Sequence, residues 1–215
     1  MTHNADSQSA MTPASALAEL VEGSQRFSCG SCSDRTLLDQ VSDTKSGQWP
    51  FAAVVSCIDS RASVELILDQ GIGDVFSARI AGNFVNEDIL GSLEFACKVA
   101  GAKLVVVLGH THCGAVKGAC DDVKLGNLTT LLEKLAPAVA AIESPAEASE
   151  RTSANPAFVQ SVAECNVHRA LDQIRERSSI LAEMESNGEI GLVGGMYDIE
   201  TGKTEFYPSQ STALA

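Results

Sequence analysis

The chain of 215 residues carries 15 basic and 28 acidic side chains, a formal charge of −13, with 45% apolar residues. That length suits one domain with a sizeable core, and the acidic excess excludes nucleic acid and anionic membranes as natural partners. No apolar run is long enough to span a bilayer, residues 1–10 lack the basic and apolar regions of a secretory signal, and seven scattered cysteines do not read as a secreted disulfide framework, so a cytoplasmic location is expected.

Residues 1–12 are polar and read as a flexible tail. Leu17, Leu20, Val21 and Phe27 have helical spacing behind Thr12, an N-cap residue, and predict a helix over 13–27. Residues 28–49 are rich in Gly, Ser, Asp and Thr and read as irregular, with room for one short helical turn. The nearly continuous apolar run over 51–58 has the pattern of a central parallel strand buried on both faces. A short helix follows over 61–70, ended by Gly71 and Gly73. A strand over 75–80, a tight turn at Ala81-Gly82-Asn83 and a helix over 89–100 come next. The strand over 103–108 has His110 just past its end.

A helical stretch over 125–143 contains Pro137, which kinks or divides it. Residues 145–155 form a polar break, 156–185 a helix and 190–197 a strand. A hairpin turn at 200–203 leads into a short last strand ending near Tyr207. Strands alternating with helices predict an α/β fold with a mainly parallel central sheet of about four parallel strands. A short antiparallel C-terminal strand closes that sheet, helices flank it, and a helical arm precedes it. The expected organisation is one domain over 13–208 between tails at 1–12 and 209–215.

Two motifs carry chemistry: Cys57-Ile58-Asp59-Ser60-Arg61 and His110-Thr111-His112-Cys113-Gly114. In a parallel sheet both fall at the carboxyl ends of strands, where ligands bind. Cys57, His110 and Cys113 offer two thiolates and one imidazole, a set suited to Zn²⁺ with its fourth position open. Cys57 alone could be a core thiol and His110 a satisfied strand-end histidine. The His-x-x-Cys spacing and the neighbouring Asp59 and Arg61 favour a metal that activates water. Cys29-Gly30-Ser31-Cys32 has redox-like spacing but lacks a strand–turn–helix context, and its surroundings suit a loop.

With these motifs, and with Asp69-Gln70-Gly71-Ile72-Gly73-Asp74, Ala81-Gly82-Asn83 and Ile89-Leu90-Gly91-Ser92-Leu93-Glu94-Phe95, the chain resembles the β-class carbonic anhydrases from about Leu17 to Tyr207. The resemblance implies one zinc per chain held by Cys57, His110 and Cys113, and reversible hydration of CO₂ to bicarbonate and a proton by zinc-bound hydroxide. It implies Asp59 and Arg61 as a dyad orienting that hydroxide. It also implies substrate contacts from Gln48, Phe76, Phe95 and the Gly114 backbone, some of them across a homodimer or homotetramer interface. For both phenylalanines core packing is an equal alternative, and Gln48 can also be read as a polar loop residue.

Relatives with a regulatory bicarbonate pocket carry Trp where this chain has Val54, although Arg79 and Tyr197 match that pocket's other members. The resemblance therefore points to the plant-like subgroup, with an open site and water on the metal. A proton-shuttling His of some relatives falls at Val99; His112 could substitute for it or merely sit exposed. Activity on COS or CS₂, and a non-catalytic zinc-binding role, are the competing readings. The Asp59–Arg61 pair argues against the non-catalytic one.

Overall fold

The computed structural model describes residues 3–209 and 211–214. Its centre is a five-stranded sheet of β1 (Ala52–Ser56), β2 (Val75–Arg79), β3 (Leu104–His110), β4 (Gly191–Tyr197) and β5 (Thr204–Phe206), in the order β2-β1-β3-β4-β5. The first four run parallel and β5 is antiparallel to β4, as the alternation of elements predicts. Every residue of β1, β3 and β4 is buried, which accounts for their unbroken apolar runs.

Successive side chains leave these strands on opposite faces. Ala53, Val55, Cys57, Val105 and Val107 join one core, under helices α5 (Glu87–Glu94) and α9 (Pro156–Arg177). Ala52, Val54, Leu104, Val106 and Leu108 join the other, under α2 (Pro13–Ser28) and α4 (Val64–Ile67).

Several elements differ from the sequence reading. Residues 5–10, within the stretch read as a flexible tail, form helix α1 (Ala5–Ala10), capped by Asn4. Its buried Gln8 donates to the Pro50 and Ala100 carbonyls at 2.7 and 2.8 Å. The stretch 28–49 holds a two-turn helix, α3 (Leu37–Thr44), anchored by Gln40, which accepts from the Ile72 N–H at 3.0 Å. The helix expected over 89–100 starts earlier, at Glu87, and its end relaxes into a π-helical turn, Phe95–Val99.

A helix not anticipated, α6 (Gly114–Cys120), follows the second motif. Pro137 does accompany a division, into α7 (Gly126–Glu133) and α8 (Ala136–Ala141). The long helix after the polar break is two: Ser178 leaves helical geometry, accepts from Leu181 N–H and starts α10 (Ser179–Ser186). In the C-terminal stretch, Leu214 packs against the core of the α2 face.

One buried carboxylate ties the N-terminal segment to the turn after α4. Asp69, its side chain 2% exposed, receives Arg26, Arg35 and Ser33. Burial alone would raise its pKa; the two guanidinium groups and Ser33 outweigh that and hold it well below the usual carboxylate range. A depressed folded-state pKa means the stabilisation is present above the unfolded value and is lost as pH falls through the folded one. Removing one partner of a buried ion pair costs about 3–5 kcal/mol. Asp69→Asn is accordingly expected to lose about that much stability in urea denaturation at pH 7, with the gap to wild type narrowing as the pH is lowered below about 4.

Candidate metal centre

The chain leaves β1 toward β2 on one side, and β3 leads to β4 on the other, so β1 and β3 flank the point where the order of strands reverses. Crevices at such points are open to ligands. In register, Ser56 stands opposite Leu108, which brings Cys57 and His110 to one edge. The turn after β3 adds Cys113, the residue that starts α6. Cys57, His110 and Cys113 are 4%, 1% and 1% exposed, and their ligand atoms all lie within 4.8 Å of one another.

The donor set fits a tetrahedral soft divalent cation. The two sulfurs are 3.9 Å apart; Zn–S bonds of about 2.3 Å at a tetrahedral angle would set sulfurs about 3.8 Å apart. His110 Nδ1 lies 2.9 Å from the Thr111 carbonyl and donates to it, leaving the Nε2 lone pair facing the sulfurs. That Nε2 is buried and has no hydrogen-bond partner. An orphaned buried acceptor beside two thiols is costly unless a ligand takes it. The hydrogen bond from Cys113 drives Cys57 toward thiolate, against its burial and with help from the Gly82 and Asp59 backbone, while Cys113 is pushed up.

Asp59 borders this triad, its Oδ2 3.9 Å from His110 Nε2. Arg61 holds it with its backbone N–H and Nε on Oδ1, both at 2.9 Å, and a terminal nitrogen on Oδ2 at 2.7 Å. These contacts keep the carboxyl well below the usual range. Arg79 donates to the Cys57 and Asp59 carbonyls at 2.9 and 2.6 Å, fixing the backbone between them.

The turn after β2 closes the site from the side. The Gly82 N–H points at Cys57 Sγ from 3.4 Å. Gly82 has φ +81, and a Cβ there would stand 2.7 Å from a Leu135 methyl, so the turn admits glycine alone. The buried Asn166 of α9 donates to the Gly82 carbonyl at 2.8 Å. Asn166 escaped the sequence reading. Its one signal was a polar residue on the buried stripe of Val162, Ala163, Val167 and Ala170.

The structure does not bring every expected residue together. Gly114 is exposed at the first position of α6, its backbone beside Cys113. Gln48, also exposed, lies ahead of β1. Phe76 pairs with Ala53, at the opposite end of β1 from Cys57, about 13 Å away along the strand. Phe95 meets Phe76 edge-on at 6.2 Å, and the two line an open groove of about 720 Å³ with Ile89 and Leu93. His112 turns toward Glu200, 3.1 Å away.

Fold and triad together define a class: α/β proteins whose switch-point crevice is built from two sulfurs and an imidazole beside an Asp–Arg pair. The family model for carbonic anhydrase matches residues 52–204. The chain belongs to the carbonic anhydrase family, in its β class. It is 32% identical over 197 residues to carbonic anhydrase 2 of Mycobacterium tuberculosis, covering 89% of this chain and 91% of that one. It is 30% identical over 199 residues to the carbonic anhydrase of Mycolicibacterium smegmatis, covering 90% and 92%. Among solved structures, the β-carbonic anhydrase CcaA matches with a TM-score of 0.71 at 25% identity, over 93% of this chain and 96% of that one. The β-carbonic anhydrase CafA of Aspergillus fumigatus gives 0.67 at 26%, over 93% of each.

Partners that orient first ligands typically change metal affinity 10–100-fold when removed. Asn166→Ala is expected to weaken zinc binding about tenfold in a chelator competition, whereas Cys113→Ser is expected to abolish stoichiometric metal in elemental analysis.

Proposed function

We propose that this chain is a zinc enzyme interconverting CO₂ and bicarbonate, with Cys57, His110 and Cys113 holding one zinc per chain and residues 13–208 forming the catalytic domain. The observation that carries the reading is the buried triad with its orphaned imidazole nitrogen, bordered by a carboxylate that Arg61 pins. Zinc bound there would acidify a water and present it as a nucleophile at neutral pH.

The surrounding residues then have defined work. Asp59, kept ionised, accepts a hydrogen bond from the nucleophile and turns its lone pair toward the carbon of CO₂. Arg61 keeps Asp59 in that role: three N–H groups on one carboxylate oppose its swing onto the metal. This favours the open-site subgroup, with water as fourth ligand, and Val54 in place of Trp supports it by leaving no regulatory bicarbonate pocket. At the start of α6 the Ala115 and Val116 N–H groups bond the Cys113 sulfur and favour its thiolate, and this reading assigns the Gly114 N–H to the substrate. A purely zinc-binding protein would need no such pair beside the metal.

Phe76 lies at the opposite end of β1 from Cys57 and Phe95 packs on it, so in this reading they, with Gln48, complete the site of a second copy in a homodimer or homotetramer. The exposed apolar side chains Phe95, Val99, Ile58 and Leu66 supply surface for that contact.

Stopped-flow CO₂ hydration with parallel zinc analysis tests the reading. Wild type is expected to carry one zinc and turn over, while Asp59→Asn keeps zinc and loses about 100-fold or more in kcat/KM. Equal rates for the two would instead mark a non-catalytic zinc protein. Mixing Asp59→Asn chains with Gln48→Ala chains is expected to recover activity, because the hybrid pair contains one intact shared site. Absence of recovery would place Gln48 outside the partner's site.

A further inference from the structure

Cys29 and Cys32 have no part in the metal centre, and they are the two exposed thiols among the seven. The remaining five are buried or half-buried. Burial pushes Cys97 up to about 12 and Cys120 to about 11, and raises Cys165, which suppresses their thiolates at neutral pH. Exchange with a disulfide needs an accessible thiolate, so chemistry of that kind is directed to residues 29 and 32.

The segment bearing them is closed into a loop from both sides. Arg26, one turn before Cys29, and Ser33, directly after Cys32, both bond the same oxygen, Asp69 Oδ2, with Ser33 Oγ at 3.0 Å and its N–H at 3.2 Å. Arg35 holds the other oxygen. Within the loop, Cys29 ends α2, and Gly30 turns back with φ +67 and nothing within 4 Å of where a side chain would stand. The Ser31 N–H returns to the Arg26 carbonyl at 2.9 Å. A single buried carboxylate thus holds the two flanks of the dithiol together, and Gly30 lets the chain turn between them.

We infer that Cys29 and Cys32 form a thiol–disulfide exchange site whose oxidised form is favoured by the Asp69 staple, with a low-molecular-weight disulfide as the oxidant. One cysteine thiolate attacks a sulfur of that disulfide, forming a mixed disulfide and expelling a thiolate. The second cysteine thiolate attacks the protein sulfur of the mixed disulfide and expels the other. The protein pair gives up two electrons, the oxidant becomes two thiols, and the two protons released by the cysteines end on those thiols. Because the staple already restricts the loop in the reduced chain, less chain freedom is lost on closing the ring. The site is independent of the catalytic reading.

The test equilibrates the full-length, zinc-loaded chain in buffers of reduced and oxidised glutathione, followed by alkylation and mass spectrometry of tryptic peptide 27–35. The expected product is this peptide lacking two hydrogens and carrying no glutathione, with Cys57 and Cys113 still reduced. Cys29→Ser should convert it to a stable glutathione adduct on Cys32. Ser33→Ala, which keeps both sulfurs and the Asp69–arginine pairs, should lower the equilibrium constant for ring closure about fivefold, the worth of one ordinary hydrogen bond. Peptide that stays reduced under oxidised glutathione, or that carries an adduct on each sulfur, overturns the site. An unchanged constant in Ser33→Ala overturns the role of the staple.

Discussion

The parallel pairing of β1 with β3 governs the metal centre. With Ser56 opposite Leu108, both chains leave the sheet at the same level, and their onward connections then part to opposite sides. The turn after β2 reaches the gap only at its side, with the Gly82 N–H on Cys57. Cys57 and His110 meet at the edge of a switch-point crevice, and Cys113 needs only the first turn after β3 to join them. The same pairing buries the three donors, which excludes water from the imidazole nitrogen and makes an unligated centre unfavourable. In the proposed zinc site, metal capture and completion of the fold would be coupled for that reason.

A second layer keeps this arrangement in place. Arg79 reaches from the end of β2 to two carbonyls of the first motif, and Asn166 reaches from α9 to the turn that aims an N–H at Cys57. The centre is thus braced from the edge strand on one side and from the longest helix on the other. Arg61, by contrast, belongs to the same short motif as the carboxylate it holds. The Asp59 and Arg61 side chains pair locally at the rim of the crevice, on a backbone that Arg79 fixes.

Much of this was legible in the residues because the relevant signals are local or periodic. The apolar runs of β1, β3 and β4 announce strands buried on both faces, and both metal motifs sit at strand ends. What escaped notice rests on polar contacts that hydrophobic periodicity does not register. Helix α3 docks through Gln40 while its apolar Leu37, Leu38 and Val41 point outward, so its pattern resembles that of a loop. Helix α1 is held by the amide of Gln8 and, just ahead of it, by His3 on Glu19 and Phe51. Ser178 splits a long helical stretch because its hydroxyl caps the next helix and donates to Glu94 at 2.6 Å. The position of Phe76 relative to Cys57 follows from strand register, which a motif comparison by residue number does not measure.

The bond from Gln8 to Pro50 gives the amino end a mechanical meaning. Pro50 leads directly into the strand that ends at Cys57, and Ala100 closes the π-helical turn that begins with Phe95. One glutamine side chain therefore stitches the leading helix to the roots of both segments. A fusion partner or purification handle attached there would pull on that stitch, and the carboxyl end offers no looser hold, because Leu214 is packed against the core of the α2 face.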